Sequence, residues 1–149
     1  MDRSETMRRV HGRDTSPELR VRRLLHAAGF RFRLQRQDLP GKPDLVLPRF
    51  GIALFVNGCF WHWHGCKRSR MPATNREYWE RKIGRNVERD RVNAAALERL
   101  GWGVRVIWEC ELTGATEALI GELLSRDNRA AERAHCRAIG DENRPTNTD

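Results

Sequence analysis

The stretch GCFWHWHGCK places side chains that bind metal ions next to side chains that stack on flat groups. It contains Cys59 and Cys66, two histidines at positions 62 and 64, and three large aromatic residues. A structural zinc site takes four thiolate or imidazole ligands in tetrahedral geometry. Cys110, at the end of a later apolar segment, offers a third thiolate. The residue types therefore predict a zinc site, and their spacing allows either His62 or His64 as the fourth ligand.

Two other interpretations of these cysteines are weaker. Four cysteines would permit disulfides in a secreted chain, but the N-terminal sequence MDRSETMRRV lacks the apolar stretch of a signal peptide. The cysteines would otherwise be buried and reduced, with two surface histidines nearby. The dense mixture of cysteine and histidine favours the metal. Cys136 lies in a polar segment, and we leave it out of the site.

A second chemical feature is Asp44, which the segment PGKPD delivers to the start of an apolar run. A carboxylate at the mouth of a strand pair can hold Mg²⁺ for phosphodiester cleavage. Nucleases of the PD-(D/E)xK type add an acid and a lysine on the next strand, but here that strand reads LFVNG. His62, just beyond this strand, is the alternative base, since imidazole suits proton transfer near neutral pH.

The charge of the chain indicates a nucleic-acid partner. The 149 residues carry a formal net charge of +8, and 25 of the 28 basic residues are arginine. Arginine binds phosphate in a bidentate manner and stacks on bases. Mean hydropathy is −0.72, and no apolar run approaches the roughly 20 residues of a membrane helix. We expect a soluble protein of the bacterial cytoplasm, associated with the nucleoid when it acts, with no membrane partner.

Hydrophobic periodicity predicts an α/β domain with a mixed sheet. Ser16 as N-cap, Pro17 in the first turn and Gly29 at the end delimit the first helix. Strands are expected over 30–34, 45–47, 52–56 and 104–108. Helices are expected over about 75–100 and 115–126. The apolar face of the helix over 75–100 is expected to consist of Val92, Ala96, Leu97 and Leu100. One domain spans 1–127, of which 1–15 is basic and expected to contact DNA, and a polar, flexible tail spans 128–149.

These segments together resemble the very-short-patch repair endonucleases. The blocks PGKPDLVL, NGCFWHWHGC, PATNREYW, KIGRNVERDR and LGWGVRVIWECEL follow the order of that family. The resemblance implies a restriction-endonuclease-like, three-layer fold related to the PD-(D/E)xK nucleases, with a central mixed β-sheet and a structural zinc site. It also implies a Mg²⁺-dependent enzyme that nicks double-stranded DNA 5′ to the thymine of a T:G mismatch left by deamination of 5-methylcytosine.

The resemblance also implies roles for individual residues in catalysis. Asp44 matches the Mg²⁺-binding aspartate, and Val56 stands where the family binds the metal through a main-chain carbonyl. His62 matches the histidine that activates water, and Glu18 matches an acidic residue near the active site. Asn57 replaces a histidine of the family; an amide can form hydrogen bonds there, but it cannot carry a proton.

The same resemblance divides the remaining residues between zinc and DNA. It assigns zinc to Cys59, His64, Cys66 and Cys110, which leaves His62 for chemistry. The residues expected to enter the duplex beside the mismatch are Met7, Phe60, Trp61 and Trp79. From the sequence alone, core packing is nearly as good an interpretation of Trp79, and Trp63, Trp102 and Trp108 are interpreted as structural.

The expected functions all involve DNA. The partner is double-stranded DNA with a T:G mismatch, and the enzyme is expected to act as a monomer, with a link to mismatch-repair proteins and to a cytosine-5 DNA methyltransferase. Two other functions fit the residue pattern: a non-catalytic zinc DNA-binding module, and a related endonuclease that cuts correctly paired sites.

Overall fold

The computed structural model describes residues 15–142, with side chains through residue 138. Three helices and a four-stranded sheet make up this part of the chain. The helices are α1 (Ser16–Ala27), α2 (Arg76–Arg99) and α3 (Leu112–Glu142). The strands, β1 (Arg33–Leu34), β2 (Leu45–Leu47), β3 (Ile52–Asn57) and β4 (Gly103–Trp108), lie in the order β1-β2-β3-β4. The predicted α/β class with a mixed sheet is confirmed.

The sheet brings the ends of two distant strands together. β1, β2 and β3 pair antiparallel, whereas β3 and β4 pair parallel with α2 as the crossover between them. In this register Asn57 at the end of β3 lies opposite Trp108 at the end of β4. The segments that follow these two strands therefore leave the sheet at the same edge, which positions Cys59 near Cys110.

Side chains alternate between two cores on opposite faces of the sheet. Leu45, Leu54 and Val56 belong to the larger core, which α1 and α3 complete. Val46 and Ala53 point to the other face and pack with Leu97 of α2. The domain thus has a layer of helix on each side of the sheet.

The first strand and the first helix differ from the sequence prediction in their ends. Strand 30–34 was expected, but only Arg33 and Leu34 pair with β2. Thr15, rather than Ser16, is the N-cap of α1. Gly29 follows the helix with a φ of +87°, the left-handed conformation that glycine adopts without strain.

Helix α2 buries only part of the face that its sequence suggested, with Leu97 in the core as expected. Val92 and Leu100, expected in the core, are exposed. The buried residues are Trp79, Ile83 and Leu97. The prediction failed because it counted apolar residues only near the C-terminal end of the helix, and it missed a stripe that begins one turn after the N-terminus.

Helix α3 is longer than the predicted 115–126. It continues to Glu142, and the side chains from 128 to 138 are exposed. The polar composition predicted a loose end, but this segment is rich in alanine and arginine, which are strong helix formers. The division into a domain at 1–127 and a tail at 128–149 stays a prediction. Within residues 15–142, no helix has the length and apolar character needed to cross a membrane.

Candidate metal centre and active-site cavity

Four predicted ligands converge at the edge where β3 and β4 end. The Sγ atoms of Cys59, Cys66 and Cys110 and a ring nitrogen of His64 all lie within 4.8 Å of one another. Nδ1 of His64 is 3.7 Å from Sγ of Cys59 and 3.3 Å from Sγ of Cys110. Tetrahedral zinc with ordinary bond lengths separates such atoms by about 3.5–3.8 Å. The donor set and its spacing fit zinc, and His64 rather than His62 belongs to it.

Neighbouring groups hold these ligands in place. The hydroxyl of Ser69 donates to the carbonyl of Cys59 at 2.8 Å and accepts from the N–H of Gly65 at 3.0 Å. The N–H of Cys59 donates to Glu109 at 3.2 Å. The imidazole of His64 stacks on Trp108, with ring centroids 4.4 Å apart and planes 12° from parallel. Such outer contacts orient metal ligands, and the sequence did not identify Ser69 or Glu109.

The thiols of the cluster differ in acidity. Burial raises the pKa of Cys59 to about 12, and the neighbouring thiols Cys110 and Cys66 add to this rise. Partial burial also opposes ionisation of Cys66, but hydrogen bonds with His64 and other neighbours lower its pKa to about 6. A cysteine binds a metal ion as the thiolate. Cys66 therefore ionises more readily than Cys59, and a cation at the centre favours the thiolate form of each cysteine ligand.

A cavity of about 710 Å³ adjoins the metal centre and collects the predicted catalytic residues. Asp44 lies in it, and its Oδ2 accepts a hydrogen bond from the N–H of Val56 at 2.7 Å. Glu18 of α1 lies in the same cavity, 4% exposed, and pairs with Arg22 at 3.3 Å. Asn57, the last residue of β3, is buried at the wall. The structure thus brings together the residues that the resemblance assigned to catalysis.

Burial and hydrogen bonding have opposite effects on the pKa of Asp44. Burial raises the pKa of this carboxyl group. The hydrogen bond from the Val56 N–H acts in the opposite direction, as do the imidazolium form of His62, the charge of Arg22 and a hydrogen bond with Glu18. Burial prevails, so the ionised form of Asp44 is costly in the protein alone. Carboxylate oxygens are hard donors that suit a divalent cation such as Mg²⁺, and its positive charge would offset the cost of burying the negative charge of Asp44.

His62 forms a pair with an acidic residue that the sequence analysis missed. Its Nδ1 lies 2.5 Å from Oδ2 of Asp90 on α2. Because an ionised carboxylate only accepts hydrogen bonds, the contact places a proton on Nδ1, and in the neutral imidazole Nε2 then carries the lone pair. Both side chains line the cavity that holds Asp44. This arrangement is that of a general base with a positioning carboxylate.

The signal for Asp90 was present in the sequence as a helical stripe. Trp79, Ile83, Asn86, Asp90 and Leu97 repeat at spacings of three, four and seven, so they share one face of α2. The amide of Asn86 donates to the carbonyl of Trp61 at 3.1 Å, one turn from the contact of Asp90 with His62. Polar residues on an otherwise buried stripe indicate a polar partner.

An aromatic cluster lies between α2 and the metal-binding loop. Phe60, Trp61 and Trp79 contact one another edge to face, with ring centroids 5.3–5.6 Å apart. The ammonium of Lys82 lies 5.3 Å from the ring centre of Trp61. Trp79 is fully buried and Phe60 nearly so, whereas Trp61 is half-buried and lines the active-site cavity. Trp61 is therefore the member of the cluster that is accessible in this state.

The remaining predicted residues fall into three groups. Trp102 packs against the core beside α2, and Trp108 stacks on His64, as expected of structural residues. Trp63, expected to be structural, is 47% exposed, which is not the position of a core residue. Met7, expected to enter the duplex, lies outside the described residues 15–142.

Sequence comparison identifies relatives over most of the chain. Residues 1–68 match the family described as DNA mismatch endonuclease Vsr. DNA mismatch endonuclease Vsr of Escherichia coli is 46% identical over 123 residues, which are 83% of this chain and 78% of that protein. Type II nicking enzyme V.XorIIP of Xanthomonas oryzae is 49% identical over 120 residues, 79% of this chain and 88% of that protein. For V.NmeAIP of Neisseria meningitidis the identity is 41%, over 83% and 87% of the two chains.

Proposed function

Because the chain belongs to the DNA mismatch endonuclease Vsr family, we propose that it nicks double-stranded DNA 5′ to the thymine of a T:G mismatch. The mismatch arises when 5-methylcytosine is deaminated, and the nick starts very short patch repair. The observation that carries the proposal is one cavity that joins Asp44 to the His62–Asp90 pair beside the aromatic residue Trp61. A cation site, a general base and a stacking residue are the parts that this reaction needs.

The fold that we propose is restriction-endonuclease-like. Its support is a mixed sheet with helices on both faces, together with the place of the acidic residue. Asp44 immediately precedes β2 and accepts a hydrogen bond from the neighbouring strand β3. A carboxylate at this point faces the cavity with rigid strands on both sides, which fixes the position of its oxygens.

Two metals have separate roles in the proposal. Asp44, with the main-chain carbonyl of Val56, would hold Mg²⁺, which supplies stabilisation of negative charge on the scissile phosphate and the leaving oxygen. Cys59, His64, Cys66 and Cys110 would hold zinc through all four tetrahedral positions. A zinc site closed by four protein ligands keeps no position for substrate, so its role is structural.

The residues of the cavity account for proton transfer. His62 takes a proton from the attacking water at Nε2, because Nδ1 is engaged with Asp90. Asp90 fixes the tautomer and stabilises the imidazolium that forms. Glu18, with its partner Arg22, sets the charge around Asp44. Asn57 donates a hydrogen bond to a phosphate oxygen or to water, but it transfers no proton.

The aromatic cluster provides recognition of the distorted duplex. A T:G pair stacks poorly, so apolar groups enter beside it at lower cost than at a paired step. Trp61 is accessible from the cavity and is placed to enter first, with Phe60 and Trp79 packed behind it. These two reach the DNA when the cluster opens, and Met7 is proposed to enter from the minor-groove side.

The setting of the reaction follows from its substrate. The proposed enzyme acts as a monomer in the bacterial cytoplasm, at the nucleoid. A cytosine-5 DNA methyltransferase creates the methylated sites whose deamination it corrects. Mismatch-repair proteins recognise the same class of lesion, and we propose a functional link to them.

A nicking assay tests the function. Labelled duplexes that differ only in a T:G or T:A pair are incubated with Mg²⁺, over a panel of flanking sequences, with wild-type protein and Asp44→Asn. We expect a Mg²⁺-dependent nick 5′ to the mismatched thymine that Asp44→Asn abolishes. Equal nicking of T:G and T:A would instead indicate an endonuclease for paired sites. Binding without any nick would indicate a zinc DNA-binding module.

A further inference from the structure

Trp63 occupies an exposed position that the proposed chemistry does not use. It lies between His62 and the zinc ligand His64, yet its side chain is 47% exposed. Its φ is +51°, in the left-handed region that large residues seldom adopt. Hydrogen bonds of the loop impose this conformation: the N–H of Trp63 donates to Phe60 at 3.4 Å, and that of His64 donates to Cys59 at 3.0 Å.

A second cavity of about 540 Å³ lies beside this indole. Its walls are apolar at Met71, Pro72 and Ala73 and cationic at Arg70 and Arg76. The guanidinium of Arg76 also pairs with Glu80 at 2.8 Å. An aromatic ring next to apolar walls and guanidinium groups is the composition that binds a nucleotide, since the ring stacks on the base and the cations meet phosphates.

Met71 and the aromatic cluster link the cavity at Trp63 to the active-site cavity. Met71 lines this cavity and also packs against the aromatic cluster of Phe60 and Trp79. Phe60 and Trp61 in turn line the active-site cavity. The aromatic cluster therefore stands between the two cavities, and a duplex held at the active site that extends past the cluster would meet Trp63.

The local charge fits a polyanion. From 58 to 76 the chain has four basic residues, at positions 67, 68, 70 and 76, and no aspartate or glutamate. Phosphate contacts of this kind supply affinity that is independent of sequence and weakens with salt. An acidic protein surface would satisfy the charges, but it would give the exposed indole no flat partner on which to stack.

We propose that Trp63, Arg70 and Arg76 form a second DNA-binding site, which holds a nucleotide of the duplex beyond the aromatic cluster. The proposal rests on the proposed function only in taking duplex DNA as the ligand. Trp63 stacks on a base or deoxyribose of the distorted duplex, and the two arginines bind the adjoining phosphates. The site adds affinity and fixes the position of the DNA, without taking part in proton transfer.

Binding of a fluorescent T:G duplex, measured by anisotropy with Mg²⁺ omitted, tests the proposal. Trp63→Ala and Trp63→Leu should raise Kd by at least about fivefold, the low end of a lost base–aromatic stack, whereas Trp63→Phe stays within about twofold of wild type. Leu100→Ala, which removes another exposed apolar side chain, is the matched control and should leave Kd unchanged. Arg70→Gln should reduce the slope of log K against log salt by about 1.

Two readouts separate this proposal from loop damage and from the proposed function. Zinc content, near one per chain in each variant, shows that the loop is intact. In wild-type protein, hydroxyl-radical oxidation of Trp63, located by tandem mass spectrometry, should fall severalfold when the duplex is bound. Unaltered oxidation, or a Kd of Trp63→Ala within twofold of wild type with zinc retained, would overturn the proposal. Protection of Trp63 in a protein that does not nick would instead sink the proposed function alone.

Discussion

The pairing of His62 with Asp90 gives the sharpest prediction about catalysis. Asp90→Asn keeps the size of the side chain and removes its charge. In the wild-type protein the 2.5 Å contact fixes the proton on Nδ1 of His62. The amide of asparagine can donate to Nδ1, which moves the proton to Nε2 and leaves the imidazole unable to accept one from water.

The expected magnitude follows from the role of the base. A positioned general base contributes about 10²–10⁴ to a rate, and the variant keeps the imidazole in place while losing its favoured tautomer. We therefore expect the nicking rate to fall by about 10²–10³. Stability should change little, because the Asp90 side chain is 40% exposed and a contact at this exposure contributes about 1 kcal/mol or less.

The assay is single-turnover nicking of a T:G duplex with Mg²⁺ and saturating protein. Glu88→Gln is the matched control, since Glu88 lies on the same helix but pairs with Arg91 at the surface; its rate should stay within twofold of wild type. His62→Ala combined with Asp90→Asn should be no slower than His62→Ala alone, because the two residues act as one unit. A rate for Asp90→Asn within threefold of wild type would show that nicking does not depend on Asp90 fixing the tautomer of His62.

Three further predictions concern the metals and the wall of the cavity. Asp44→Asn should abolish nicking. Because burial raises the pKa of Asp44, the ionised carboxylate destabilises the Mg²⁺-free protein at pH 7, and the variant should have a higher Tm there. This gain in Tm should be lost once the pH is below the ordinary pKa of 3.8, where Asp44 is protonated in the folded and in the unfolded protein. Cys66→Ser should remove zinc, lower Tm by more than about 5 °C and stop nicking, whereas Cys136→Ser should change none of these. Asn57→His, which restores a proton carrier, should raise the single-turnover rate by up to about 100-fold if that position transfers a proton; an unchanged rate would show that a hydrogen bond suffices there.

The residues of the metal centre were predictable because their chemistry is rare and local. Cysteine and histidine seldom occur together by chance, and three of the four ligands lie within eight residues of one another. The fourth, Cys110, follows a strand whose parallel pairing with β3 was not visible in the sequence. Spacing in the sequence allowed either His62 or His64 as the fourth ligand. The positions of the two rings separate them, because His64 lies among the cysteines and His62 contacts Asp90.

Asp90 was not predicted because its role depends on tertiary packing. It lies 28 residues from His62 and among charged neighbours. Only the rotation of α2, set by burial of Trp79 and Leu97, turns Asp90 rather than Glu88 toward the cavity. Charge density along a helix does not reveal that rotation, whereas the position of a polar residue on the buried stripe does.

Burial also separates aromatic residues that the sequence treats alike. Trp61, Trp63 and Trp79 are the same residue type within nineteen positions. In the fold Trp79 is fully buried, Trp61 is half-buried at the cavity, and Trp63 is exposed. The sequence analysis assigned Trp79 to DNA and Trp63 to structure, but exposure in the free protein favours Trp63 for a direct contact. Such differences arise from the path of the metal-binding loop, which the sequence does not specify.

The central claim is that the cavity of Asp44 and His62 nicks DNA at a T:G mismatch, and a competition experiment tests it most directly. Two duplexes of the same sequence, one with T:G and one with T:A, carry different labels and share one tube with the protein and Mg²⁺. We expect nearly all product to come from the T:G duplex, cut once, 5′ to the mismatched thymine on that strand alone. Equal product from both duplexes, or a cut in both strands, would contradict it.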